Sequence, residues 1–467
     1  HGGLMPASSY LIVGGPGTGK TVLGLQFLRH SAAHKARCLL ITLAEPEETL
    51  RRNAAAFGWD LSGVTIVDFA QELSKGQPEG EYSVFPPSEV EAVPLWGRIR
   101  QAVKKYKPER LVIDSATFLQ YLSRDIYQYH RQIQALLNWL AAGQCLSLLL
   151  YEPTELQKDN ALALAVDGIL TLRNELSQNR MVEIRTVQVN KLRGSAFMSG
   201  RHPLRITAQG MTVWPHRIEK IKSYASKEKV LHSGIAALDE MLGGGLPVGG
   251  CTLISGPTGA GKTTLALQFL VAAAAEGRKG VYYTFEEGLA SMLERCHALA
   301  IPLEKRLHDG SLTVREISPL DRYPDEFLAM LRRDLEAGAD ILALDSLRGY
   351  NLAMEAFGSL TAHMQNIVYY IRNQGASLFI IDEQENLTGD LRITNLGVSY
   401  IADNVLLVRF AEVQGRLIRV VSCLKKRQGN FQPDLRELKI TAQGLQIGET
   451  LEHLRGVLTG VPVSNKE

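Results

Sequence analysis

The sequence lacks most of what marks secreted, membrane-spanning or nucleic-acid-coating proteins. Its five cysteines, Cys38, Cys145, Cys251, Cys296 and Cys423, are odd in number and scattered singly. That excludes a disulfide framework and leaves no Cys-x-x-Cys pair for a metal, so a reducing, cytoplasmic compartment is the expectation. No apolar run reaches the roughly 18 residues a membrane span needs. Neither sign of charge dominates: 51 Lys and Arg against 49 Asp and Glu give a formal charge of +2, too little to hold nucleic acid by bulk charge. No basic–aromatic cluster stands out either, the nearest being Arg193-Gly-Ser-Ala-Phe197. A signal peptide is missing. Because His1 is not an initiator Met, the expectation is that the natural N-terminus, with any targeting segment, lies upstream. What is present is a core-forming composition, 45% hydrophobic and 21% charged. At roughly 150 residues per domain, 467 residues would suggest about three.

Internal repetition lowers that number to two. Gly2 to Thr21 (Gly-Gly-Leu-Met-Pro-Ala-Ser-Ser-Tyr-Leu-Ile-Val-Gly-Gly-Pro-Gly-Thr-Gly-Lys-Thr) returns 242 residues later as Gly244 to Thr263, and each copy runs into an apolar stretch containing Gln-Phe-Leu, at Gln26 and Gln268. Leu-Val-Ile-Asp-Ser ending at Ser115 pairs with Leu-Ala-Leu-Asp-Ser ending at Ser346. Asp167-Gly-Ile-Leu pairs with Asp403-Asn-Val-Leu, and Lys191-Leu-Arg193 with Lys425-Lys-Arg427. The division this implies is a first domain over 1–216, a charged linker over 217–230, a second domain over 231–450 and a tail over 451–467. The segment 231–242 has no counterpart in the first half; the expectation is that its partner precedes His1.

In each half, short apolar runs (10–13, 39–43, 111–113, 146–150, 169–172) alternate with helix-length amphipathic segments. This predicts an α/β fold with a mostly parallel sheet flanked by helices. The last third of each half turns to hairpin-like strands, such as 405–410 and 417–423 around Gln414-Gly415.

Each half carries a complete G-x-x-x-x-G-K-[ST] loop: Gly14-Gly15-Pro16-Gly17-Thr18-Gly19-Lys20-Thr21, and Gly256-Pro257-Thr258-Gly259-Ala260-Gly261-Lys262-Thr263, the latter followed by Thr264. Such loops turn successive backbone N–H groups inward around phosphates. Lys20 and Lys262 would neutralise the β- and γ-phosphates of ATP, and the hydroxyls of Thr21 and Thr263 would ligate Mg²⁺. Asp114 and Asp345 end hydrophobic strands expected beside the P-loop strand, at the Walker B position, where a carboxylate holds the metal. The strand after the P-loop helix ends in Glu286-Glu287 in the second half and Ala44-Glu45 in the first. Glu286, Glu287 and Glu45 are therefore the candidates for the base that prepares the attacking group. Lys191, Arg193, Lys425 and Arg427 fall late in each half, where they could serve the transferring phosphate of a neighbouring subunit, closing a ring with interfacial sites.

With these residues in hand the sequence resembles the KaiC family of circadian clock ATPases, with two tandem RecA-like P-loop domains. The resemblance rests on His232-Ser-Gly-Ile-Ala-Ala-Leu-Asp-Glu-Met-Leu-Gly-Gly-Gly-Leu-Pro247 through Gly-Ala-Gly-Lys-Thr-Thr, on Glu286-Glu287 and on the late Lys-x-Arg, and it covers nearly the whole chain. It implies a homohexamer of two stacked rings with ATP at subunit interfaces. The first ring would hydrolyse ATP and recruit a KaiB-like protein; the second would phosphorylate its own hydroxyl residues and signal towards a histidine kinase. The family's Ser-Thr acceptor pair falls on Ser399-Tyr400, before Asp403, with an associated threonine at Thr394. A phenol is longer and stiffer than a threonine hydroxyl, so phosphate is expected on Ser399 and not on Tyr400. The first half has Ala163 and Leu164 at that place, which cannot accept phosphate. The segment 451–458 and Thr459-Gly-Val-Pro resemble the start of the family's C-terminal loop. No extension for a KaiA-like activator follows before Glu467, so KaiA-type regulation is not expected. A timer or stress-signalling role fits the resemblance as well as a circadian one. Two other readings stay open: a DNA-dependent RecA-like motor, and a nucleotide-gated assembly scaffold in which turnover is incidental, favoured for the first half by the missing glutamate at Ala44.

Overall fold

The computed structural model describes residues 3–70, 87–121, 126–153, 161–176, 183–217, 229–319, 322–354, 358–384, 397–452, 454–455 and 463–464. The chain divides into two compact units, His1–Arg217 and Ile218–Glu467. Most of the charged stretch between them, 218–228, and most of the tail lie outside the described residues.

The first unit is built on one nine-stranded sheet. Its strands are β1 (Ser9–Val13), β2 (Cys38–Thr42), β3 (Val64–Asp68), β4 (Arg110–Asp114), β5 (Leu146–Tyr151), β6 (Gly168–Leu176), β7 (Glu183–Leu192), β8 (Arg201–Thr207) and β9 (Gly210–Val213). They lie in the order β3-β2-β4-β5-β1-β6-β7-β8-β9. Pairing is parallel from β3 to β6 and antiparallel from β6 to β9. The parallel part follows from helical crossovers and strands apolar on both faces, the antiparallel part from direct hairpins.

The second unit begins with a short antiparallel pair, β10 (Val230–Leu231) and β11 (Leu246–Pro247), bracketing a helix at Ala236–Met241 whose Leu238 and Met241 enter the core. Its main strands are β12 (Cys251–Pro257), β13 (Gly280–Thr284), β14 (Leu312–Glu316), β15 (Ile341–Asp345), β16 (Ser377–Gln384), β17 (Asn404–Val413), β18 (Arg416–Lys426), β19 (Arg436–Thr441) and β20 (Gly444–Thr450). Their order, β14-β13-β15-β16-β12-β17-β18-β19-β20, repeats that of the first unit strand for strand. The α/β fold class, with two mostly parallel sheets and late hairpins, is thus as the alternation predicts.

One expectation is corrected. The strands ending in Asp114 and Asp345 do not lie beside the P-loop strands. β5 stands between β4 and β1, and β16 between β15 and β12. Apolar patterning identifies buried strands but carries no information on their lateral order.

Alternating side chains feed two apolar layers in each unit. In the first, Tyr10, Ile12, Leu40, Val112, Leu148 and Leu150 face the helix Lys20–Ala33, while Leu11, Leu39, Ile41, Leu111, Ile113 and Leu149 face the helices Pro87–Tyr106 and Ile126–Ala142. The second repeats this with the helix Lys262–Ala275 on one face and Pro324–Glu336 and Leu360–Asn373 on the other. It adds a buried polar knot. Tyr283 Oη donates to Asp334 Oδ2 at 2.7 Å, and Arg315 grips the same carboxylate from Nε at 2.7 Å and from its terminal nitrogen. Asp334→Ala would strand the Tyr283 hydroxyl in the core and unpair Arg315. The expected cost is roughly 2–3 kcal/mol, read as a lower urea midpoint of the second unit; a shift below about 0.5 kcal/mol would show the knot to be dispensable.

Candidate functional site: two phosphate loops and their carboxylates

Each P-loop opens a helix whose N-cap is a left-handed glycine, Gly19 at φ 95° and Gly261 at φ 104°. The left-handed backbone angle demands glycine, and a β-carbon there would also push on the tip of Ile206 (2.4 Å from Cδ1) or Ile440 (2.7 Å from Cδ1). Neither helix has a side-chain cap or an acidic residue in its first turn. Their leading N–H groups are left for an external anion. Lys20 Nζ donates to the carbonyls of Gly14 and Gly15, both at 2.8 Å, and Lys262 Nζ to that of Pro257 at 2.8 Å, so each loop curls over its own lysine. Burial pushes the Lys262 amine down from its ordinary value, while Glu383, Asp345, Asp382 and Glu286 oppose that shift. Thr18 Oγ1 ties the first loop to the Gly15 carbonyl at 2.8 Å, and Arg419 Nε reaches the Gly259 carbonyl from β18 at 3.2 Å.

Although β4 and β15 are one strand removed from the P-loop strands, the P-loop helices pack over their ends. Thr21 Oγ1 donates to Asp114 Oδ2 at 2.7 Å, and Thr263 Oγ1 to Asp345 Oδ2 at 2.7 Å. Burial raises both aspartates above the usual carboxylate range, and the threonine bonds pull them back. A hydroxyl and a carboxylate side by side beneath a phosphate loop are the hard oxygen donors that suit Mg²⁺, so the residues present fit both a triphosphate and its metal.

The glutamates behave differently in the two units. Glu286 Oε1 accepts from Ser346 Oγ at 2.5 Å, beside Asp345. Glu287 is turned away, held by Arg295 at 2.8 Å and by Ser291 Oγ at 2.9 Å on the helix Leu289–Ala298. In the first unit the turn is the same, Thr42 bonding the Glu45 carbonyl as Thr284 bonds that of Glu287. The Glu45 carboxylate, however, lies near enough to Asp114 to raise it, and its Oε2 is buried with no hydrogen-bond partner among the described residues.

Two acidic residues escaped the sequence reading. Glu152 and Glu383 follow or end the intervening strands β5 and β16. Glu152 Oε2 stands 3.7 Å from Lys20 Nζ, and Glu383 Oε1 accepts from Thr258 Oγ1 in the second P-loop. The signal was available: Leu150-Tyr-Glu152 and Ile381-Asp-Glu383 are in register. It is meaningful only once those strands are known to touch the P-loop strands.

The four late cations all engage their own unit. Lys191 Nζ donates to the carbonyls of Ala163 at 2.9 Å and Leu164 at 3.3 Å; Lys425 Nζ donates to those of Ser399 at 3.3 Å and Ala402 at 2.7 Å. Arg193 pairs with Asp167 at 3.8 Å. Arg427 pairs with Asp403 at 3.3 Å and donates to the Tyr400 carbonyl at 3.0 Å. Both arginines stay about half exposed. Ser399 is partly buried and Tyr400 exposed; Thr394 lies outside the described residues. Among the described residues no helix is long and apolar enough to cross a membrane.

The family model described as "ATPase: KaiC" matches the chain twice, over residues 1–218 and 231–452. The Circadian clock oscillator protein KaiC of Prochlorococcus marinus is 29% identical over 475 residues, covering 99% of this chain and 92% of that protein. The proteins of the same name from Parasynechococcus marenigrum and Parathermosynechococcus lividus are each 28% identical, with 99% of this chain and 90% and 85% of their own lengths covered.

Proposed function

The chain belongs to the KaiC family of ATPases, and from that premise we propose that it is a two-ring timing or stress-signalling ATPase that hydrolyses ATP in its first unit and phosphorylates Ser399 in its second. The observation that carries the division of labour is the asymmetry of two otherwise matching sites. The second has Glu286 beside Asp345 and a hydroxyl at Ser399; the first has Ala44 in place of Glu286, with Glu45 near Asp114, and Ala163-Leu164 where a phosphoacceptor would stand. Mg²⁺ bound to ATP would supply charge neutralisation at the phosphates, with Thr21 and Asp114, or Thr263 and Asp345, as the holding residues. The chain's own groups do the rest. The lysines and loop N–H groups orient the phosphates, and Glu286 or Glu45 takes the proton of the attacking oxygen.

We assign Arg193 and Arg427 as cations offered across a subunit boundary in a homohexamer. Lys191 and Lys425, with their amines on carbonyls, fix the segments from which these arginines project. Each arginine keeps enough exposure to reach another chain, 59% and 49% of its side chain. A KaiB-like protein and a histidine kinase are the proposed partners. Native mass of the full chain with and without Mg-ATP, followed by phosphosite mapping of the same sample, tests the scheme. The expected result is a six-subunit mass with ATP and phosphate on Ser399, abolished in Ser399→Ala and absent from Tyr400. ATP turnover without phosphate on Ser399 would sink the kinase assignment.

A further inference from the structure

We infer that Tyr282 is a positioning residue for the metal-side carboxylate of the second nucleotide site, a support that the first site lacks. The inference rests on the reading of Thr263 and Asp345 as the magnesium-holding pair.

Tyr282 lies in the middle of β13, opposite Ala343 of β15, on the sheet face that packs beneath the P-loop helix. Its ring is 1% exposed, embedded among aliphatic side chains. From there it runs along the sheet towards the end of β15, and its Oη donates to Asp345 Oδ2 at 2.5 Å. Thr263 Oγ1 donates to the same oxygen at 2.7 Å. Two donors on one carboxylate oxygen fix the rotation of the group, which would otherwise be broad about its last torsion. Neither bond uses the other carboxylate oxygen, which would be left to the ion. With the Thr263 oxygen engaged by an ion, the tyrosine would still anchor the aspartate.

The first unit has no equivalent. At the matching point of β2, opposite Val112, stands Leu40, and among the described residues Thr21 is the side chain that donates to Asp114. The sheet, the helix and the threonine–aspartate pair are the same in both units, and on the carboxylate oxygen that the threonine reaches the second unit adds this one hydroxyl. A buried phenol needs a partner to avoid a desolvation penalty, and this one finds it on the residue that faces the metal. Groups that orient a metal's ligands from behind commonly change metal affinity by one to two orders of magnitude when removed.

The test uses the full chain carrying Lys20→Ala, which silences the first site, and follows a fluorescent ATP analogue as Mg²⁺ is titrated. Tyr282→Phe keeps the packing and deletes only the hydroxyl. The expected result is a Mg²⁺ midpoint for nucleotide retention raised roughly tenfold or more, with full binding recovered at saturating Mg²⁺. Melting in EDTA separates positioning from packing: a purely structural role would lower the melting temperature in EDTA and leave the Mg²⁺ midpoint in place. A midpoint within about twofold of the parent would overturn the inference. If the parent itself shows no Mg²⁺-dependent binding, the magnesium assignment of Thr263 and Asp345 fails and the inference with it.

Discussion

Lys262→Ala is expected to strip the second site of nucleotide, weakening binding by roughly 30- to 3,000-fold, which corresponds to about 2–5 kcal/mol for a charge removed from a buried, hydrogen-bonded anion site. The direction follows from what surrounds the amine. Lys262 is buried, and Glu383, Asp345, Asp382 and Glu286 all lie close enough to bear on it. Without the lysine, that acidic floor faces an incoming triphosphate uncompensated, so the variant loses an attraction and gains a repulsion. Equilibrium titration of a fluorescent ATP analogue into the full chain, with Lys20→Ala as background, reads the effect. Lys20→Ala should do the same at the first site, where Glu152 is the carboxylate set free. Undiminished binding in the double variant would mean that the two loops are not phosphate sites.

Much of this is legible in the sequence itself. The P-loops, Asp114 and Asp345 are legible from spacing, because a phosphate cradle needs glycine, lysine and hydroxyl at set distances along the chain, and the same residues recur in both halves. In the first unit the parallel strands β1, β2, β4, β5 and β6 are visible because β-strands buried on both faces are continuous apolar runs, whereas the edge strand β3, only half-buried along most of its length, is not among those runs. Three things were not readable, and they share a cause. The interposed β5 and β16, and with them Glu152 and Glu383, depend on lateral strand order, which is a tertiary fact. The tyrosine at 282 reads as one more apolar strand residue until its hydroxyl is seen on Asp345. Lys191 and Lys425 read as cations offered to a neighbouring subunit's phosphate, and the contacts of their amines with carbonyl oxygens of their own unit, beside the register shifts at Ile169/Leu170 and Val405/Leu406, are visible only in the fold.

The first site shows why a missing residue need not mean a missing function. Ala44 stands where the second unit has Glu286, and Ser115 accordingly lacks the glutamate that Ser346 holds. Yet the neighbouring Glu45 lies near enough to Asp114 to raise it, whereas its counterpart Glu287 is drawn onto the following helix by Arg295. The place of Arg295 is taken in the first unit by Asn53, an exposed residue with no charge to draw Glu45 away. Glu45→Gln is therefore expected to lower ATP hydrolysis at the first site by roughly 10²–10⁴-fold while nucleotide binding and assembly persist. The turnover is measured as phosphate release in a Lys262→Ala background. Asn53→Arg should reach part of the same result, about tenfold, without touching any group at the phosphates, because a guanidinium on that exposed helix face offers Glu45 the ion pair that Glu287 already has. A double variant separates the readings: if Asn53→Arg slows hydrolysis in the parent but not once Glu45 is glutamine, it acts through that carboxylate. If neither substitution alters turnover, Glu45 is not the base, and the reading of the first unit as a nucleotide-gated assembly scaffold replaces that of a hydrolytic one.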